Sequence, residues 1–282
     1  MTERRGYPSD LKDDQWQLVE PMLLRWRATR AEGREPTTAL REVVNAILYV
    51  ARTGIAWRYL PHDFPPHTTV YGYFKEWERD GTTEQIHDTL RDQLRAKKGR
   101  RILPTAAVID AQSVKASPNA PADSQGWDGG KKVKGRKRHI ATDTLGLLLV
   151  LIVTAAGVQD SAGGKQVLDA LADRWPTVTK AWVDAGYNNG VIKHGAQLAI
   201  DVEVVTRDKE QKGFVVQPIR WRAEQTFGIM SRYRRLHRDY EELPDRSRPM
   251  IHWAMVNSMT NRLTATLDRT GQYLRPKPLT AA

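Results

Sequence analysis

Residues 105–116 read TAAVIDAQSVKA, and the chain changes character there. The run is apolar enough to predict a strand, yet Asp110 interrupts it. A carboxylate embedded in a central apolar strand is costly unless it is paired or binds a metal. Downstream, RHIATDTLGLLLVLIVTAAG predicts two strands joined by a turn around Asp143 to Gly146. DSAGGKQVLDALADRW predicts a helix capped by Asp160 or Ser161, and TKAWVDAGYNNG a strand that ends at Asp184 before a glycine turn. NNGVIKHGAQLA then reads as helix and IDVEVVTR as strand. A polar loop, DKEQKGFVVQP, leads to a helix that carries Glu224, and a last helix covers MIHWAMVNSMTNRLTATL. Strand, hairpin, helix, strand, helix, strand, helix predicts an α/β fold, a mixed sheet with helices packed on it.

Upstream of residue 100 the pattern is helical. SDLKDDQWQLVEPML opens at Ser9 or Asp10 and sets Leu11, Trp16, Leu18, Val19, Met22 and Leu23 for burial. TTALREVVNAILYVARTG has helical apolar spacing and a stop at Gly54. After the Pro-rich IAWRYLPHDFPPH, Thr68 or Thr69 caps VYGYFKEWERDG, and TTEQIHDTLRDQLRAKKGR begins another helix. Several short helices with an aromatic third member suit a helix-turn-helix-like bundle. A helical domain that contacts protein is the alternative. The expected segments are 1–100, a helical domain suited to DNA binding; 101–268, an α/β domain; and 269–282, a C-terminal tail.

The 282 residues carry a net charge of +11, which suits a polyanion, nucleic acid before a membrane surface. Cysteine is absent, which excludes disulfides and thiolate metal sites. No apolar run approaches the roughly 20 residues of a membrane span, and the first residues lack the apolar core of a secretory signal. These features predict a soluble, cytoplasmic protein with no membrane partner.

Two aspartates, Asp110 and Asp184, stand on strands, and an acid, Glu224, stands on a later helix. Plotted at about 100° per residue, Ala223, Thr226, Phe227, Met230 and Tyr233 share one side of that helix. Glu224 shares another with Gly228, Ser231 and Arg235, and its near neighbours there, Gly228 and Ser231, are small and leave room around its carboxylate. An ordinary Glu224–Arg220 surface pair is the plainer reading. Carboxylates without Cys or a paired His motif suit Mg²⁺ or Mn²⁺. Phosphoryl transfer uses two such ions roughly 4 Å apart. KKVKGRKRH puts six cations into the eight residues from Lys131 to Arg138, and SRYRRLHR adds four arginines after Glu224. Such runs attract phosphate backbones without reading sequence, although a solvated charge run or an RNA-binding loop would look the same.

Taken together, GIAWRYLP, TTVYGYFKEWERDG, VIDAQSVKAS, GKKVKGRKRHIATDTLGLLLVLIVTAAGVQDSAG, VDAGYNN and AEQTFGIMSRYRRLHRDYE make the chain resemble a family. It resembles the DDE transposases of bacterial insertion sequences, in the branch grouped around insertion sequence 5. The matching stretches are ordered and cover nearly the whole chain. The resemblance implies an RNase H-like catalytic core behind a helical DNA-binding region. It implies that Asp110, Asp184 and Glu224 are the catalytic triad and hold two Mg²⁺ or Mn²⁺ ions. The partner it implies is double-stranded DNA, element ends and target alike, and joining two ends implies at least a homodimer in the active complex. Lys131, Lys132, Lys134, Arg136, Lys137, Arg138, Arg220, Arg232, Arg234 and Arg235 are the expected DNA contacts. The wider group carries a tyrosine seven residues before the glutamate, an arginine four before and a lysine seven after. Here those places hold Gln217, Arg220 and Ser231, and Ser117 stands where many relatives have histidine. A plain metal-dependent nuclease and a non-catalytic or decayed DNA-binding protein of the same fold remain the alternatives.

Overall fold

The computed structural model describes residues 4–30, 38–118, 120–205 and 219–265. Four helices come first: α1 (Asp13–Ala28), α2 (Leu40–Thr53), α3 (His67–Arg79) and α4 (Thr82–Lys97). Helix α2 ends where the sequence places its stop, with Gly54 at φ 77° as a left-handed cap. Helix α3 begins before the expected threonines, at His67 behind Pro66. Its Val70, Phe74 and Trp77 are buried, so the aromatic spacing serves the core.

Among the described residues six strands follow: β1 (Ala106–Lys115), β2 (Gly126–Asp128), β3 (Val133–Thr142), β4 (Leu148–Ala155), β5 (Lys180–Asp184) and β6 (Asp201–Val205). Antiparallel β3 lies against β1, with Asp110 opposite Ile140, while β4 and the short β2 line the outer edge of β3. On the other edge of β1, β5 and then β6 are added in parallel. Helices α5 (Asp160–Arg174) and α6 (Asn189–Gln197) cover one face with Val167, Leu168, Leu171 and Val191. Helices α7 (Trp221–Met230) and α8 (Pro244–Thr264) cover the other, packed with Val108, Ile140, Leu148 and Leu151. This is the expected mixed sheet with flanking helices. The core of the α7–α8 face continues without a break into α1–α4. No helix among the described residues is long and apolar enough to cross a membrane. The polar loop with Gln217 and the expected tail 269–282 lie outside the described residues.

Candidate active site

Strands β1 and β5 run parallel in register from Ala106 beside Lys180 to Val108 beside Trp182. Two residues further along each strand stand Asp110 and Asp184. With a side-chain period of two, both carboxylates share the face of Val108 and Trp182, the face that α7 and α8 cover. Asp184 is the last residue of β5, and its Oδ1 accepts the backbone N–H of Gly186 at 2.9 Å. Asp110 accepts the N–H of Ala111 at 2.7 Å. Burial raises the Asp110 carboxyl to about 6, and the neighbouring Asp184 adds to the rise; the Ala111 amide, Arg220 and Lys131 pull it back. A guanidinium nitrogen of Arg220 lies 3.6 Å from Asp184, and Lys131 Nζ donates to the Ala111 carbonyl at 2.8 Å.

Two close carboxylates, one reluctant to ionise, are the donors a hard divalent cation takes. Among the described residues, no group of three or more His, Cys, Asp or Glu side chains comes close enough to hold a metal. Glu224 sits in the first turn of α7, exposed, while Ala223, Thr226, Phe227 and Met230 bury that helix as its pattern predicts. Its helix therefore shares the face of the two aspartates, but its carboxylate stands apart from them. Arg220 does not pair with Glu224 as the plainer sequence reading has it; Asp184 takes it instead. Tyr187, to which the sequence reading gave no role, also belongs to this region. Its hydroxyl is buried without a hydrogen-bond partner, and burial raises its pKa, reinforced by the charges of Asp110, Asp160 and Asp184. A tyrosine three residues beyond a strand-end aspartate was the only signal.

The basic residues divide. Lys131, Lys132, Lys134, Arg232 and Arg234 are exposed, and Arg220 is half-buried on Asp184. Arg136, Lys137, Arg138 and Arg235 are buried and bonded inside the protein, although Arg138 Nε is left without a hydrogen-bond partner. Arg136 donates to the carbonyls of Glu241 and Glu242, both at 2.7 Å, and pairs with Asp239 at 3.1 Å. Arg138 donates to the Leu236 carbonyl at 2.9 Å, and burial brings its pKa down to about 10. Lys137 pairs with Asp160 at 2.8 Å and Asp128 at 3.2 Å, and Arg235 with Glu241 at 2.8 Å. The expectation of phosphate contacts is corrected for these four: the basic run is mostly strand β3, where Arg136 and Arg138 tie the sheet to residues 236–247 and Lys137 ties it to Asp128 and the start of α5. His139, at 0% exposure, is structural too. It contacts the Thr154 hydroxyl at 3.1 Å, and burial lowers its pKa to about 4.

Comparison with known proteins agrees with the fold. Residues 11–87 match a family described as putative transposase of the IS4/5 family. Over 110 residues the chain is 30% identical to the insertion element IS402 uncharacterized 16.2 kDa protein of Burkholderia cepacia, an alignment covering 38% of this chain and 73% of that protein. Residues 101–257, more than half of the chain, match the transposase DDE domain, whose RNase H-like architecture is the mixed sheet described above. The chain therefore belongs to the DDE transposase family.

Proposed function

We propose that this transposase cleaves DNA at the ends of an insertion element and transfers the freed 3′-hydroxyl into target DNA, with Asp110, Asp184 and Glu224 as its catalytic acids. The observation that carries the reading is the Asp110–Asp184 pair on adjacent parallel strands, with the helix of Glu224 on the same face. Bound Mg²⁺ or Mn²⁺, two ions in this reading, would neutralise phosphate charge and polarise the reacting oxygens. Asp110 and Asp184 would hold the metal, Asp110 only once it has lost its proton. Glu224 would reach them from α7. Arg220, released from Asp184, would face the phosphate, and exposed Lys131, Lys132, Lys134, Arg232 and Arg234 would hold the flanking backbone. Water would attack the scissile phosphorus first and displace the element's 3′-oxygen, which leaves as the 3′-hydroxyl; that hydroxyl would then attack a target phosphorus in line and displace the target's own 3′-oxygen, so catalysis is positioning and charge neutralisation. Joining two ends calls for at least a dimer.

Asp110→Asn, Asp184→Asn and Glu224→Gln should each lower cleavage of element-end duplexes by on the order of 10³-fold, about 4 kcal/mol of barrier. DNA binding should be nearly unchanged. The assay compares Mg²⁺ with EDTA and scores joined products as well as nicks. A variant that still cleaves removes its residue from the site. Nicks without joining leave a nuclease, and no product from the parent protein in Mg²⁺ leaves a DNA-binding protein.

A further inference from the structure

A second basic region, drawn from three separate stretches of sequence, lies around the turn between β3 and β4. The end of α4 with the loop after it, the start of α7 and the last turn of α8 bring Lys97, Arg100, Arg101, Arg222 and Arg262 to this turn: Lys97 Nζ lies 3.5 Å from the Arg262 carbonyl, the Arg222 backbone lies beside Gly146, and Arg100 and Arg101 share a cavity wall with Thr144. At its base sits Asp143, fully buried. One of its oxygens accepts the N–H groups of Leu145 and Leu147, both at 2.8 Å, and the other pairs with Arg95. Arg95 also donates to the carbonyls of Arg101 and Ile102, both at 2.9 Å, which fixes the path of that loop. Lys97 binds the Leu263 carbonyl and ties the end of α4 to the end of α8.

The acid at the base is thus already engaged, and the outer cations repel one another. Burial lowers the pKa of Arg222; the charge of Asp143 opposes this, while Arg262 and Arg100 push it down further. Cations at helix C-termini complement each helix dipole on its own. That accounts for Lys97 and Arg262 singly, but not for their convergence with the three further guanidinium groups of Arg100, Arg101 and Arg222. A cavity of about 290 Å³ opens here, with Arg95, Arg100, Arg101 and Thr144 in its wall. Arg222 stands in the first turn of α7, the helix that also carries Glu224.

We infer that this junction of α4, α7 and α8 is a docking surface for the phosphate backbone of double-stranded DNA, separate from the basic run on β3. Charge from three elements spread over one surface suits a continuous polyanion better than a single small anion. The inference rests on the transposase reading for its choice of DNA, and its test separates the two.

Binding of the full-length protein to a labelled duplex is measured across a range of salt concentrations. Arg100→Gln/Arg222→Gln/Arg262→Gln should reduce the slope of log affinity against log salt by about 2–3, near 0.9 per lost contact. An equal change of charge at exposed Arg25, Lys165 and Lys193 should leave the slope as it is. Circular dichroism checks the fold. Should the triple variant unfold, exposed Arg100→Gln/Arg101→Gln should still lower the slope by about 1–2. An unchanged slope in these variants, with the parent protein binding DNA, overturns the docking surface alone. So does displacement of DNA by inorganic phosphate at equal charge concentration, which marks a single-anion site, or a preference for duplex RNA. Failure of the parent protein to bind any duplex overturns the transposase reading and this inference with it.

Discussion

Asp110 pays for its position in stability. Its carboxyl titrates near 6 in the folded chain against an ordinary value of 3.8, because burial and Asp184 both oppose its charge. A carboxyl raised on folding stabilises fully below about pH 4, and that stability is lost as pH rises through 6. Above that window the apo protein carries a penalty of about 3 kcal/mol that an asparagine would not. Asp110→Asn should therefore raise the melting temperature at neutral pH, and its advantage should vanish near pH 4. Melting curves from pH 4 to 8 check this; equal stability at neutral pH would mean that burial does not govern the group. A bound cation inverts the balance, since it repays the buried charge. Manganese should stabilise the parent protein but not the variant, and calorimetry should show its affinity weakening as pH falls through 6 and Asp110 takes a proton.

Helix α5 approaches the sheet at one glycine and the loop after β5 at the next. A Cβ on Gly163 would lie 2.2 Å from the His139 ring, and one on Gly164 would lie 2.6 Å from the Tyr187 ring. Gly228 of α7 differs: a Cβ there meets nothing within 4 Å. Gly163→Ala should cost about 1–3 kcal/mol by forcing α5 off β3, whereas Gly228→Ala should gain about 0.5–1 kcal/mol. Urea unfolding of the two variants should shift in opposite directions, and a shared sign would show that the close approach is not what those glycines provide. The same elements show what was legible. Asp110, Asp184 and the buried stripe of α7 follow from period and composition, which are local. Strand β3 was half hidden, because Arg136 and Arg138 take strand positions with charged side chains whose acceptors lie about a hundred residues later, at Leu236, Glu241 and Glu242. Strand β2 has three residues and owes its existence to β3. The start of α8 at Pro244 was missed although proline in a first turn is a local signal. The cluster around Asp143 could not be read at all, since nothing in Arg100, Arg222 or Arg262 alone points to the others.

The whole molecule is held by α8, a helix buried on nearly every side. One flank meets β4 and α7, and the other meets α1 to α4. Trp253 packs on Trp77 with ring centroids 5.7 Å apart, and His252 on His87 at 4.9 Å. The change from helix to strand near residue 100 is thus a change of secondary structure that the packing does not follow. Removing α1–α4 would uncover Trp253 and other apolar side chains of α8, each worth roughly 1.5–3 kcal/mol when buried. Four such side chains amount to on the order of 10 kcal/mol, comparable with the entire stability of a typical domain, about 5–15 kcal/mol. A fragment starting at residue 101 should therefore fail to fold, with no cooperative melt by circular dichroism and early, broad elution in gel filtration. The intact chain should melt in one transition, with calorimetric and van't Hoff enthalpies in agreement. A compact, cooperatively melting fragment, or two resolved transitions in the intact chain, would show that the helices and the sheet stand independently and that α8 does not join them.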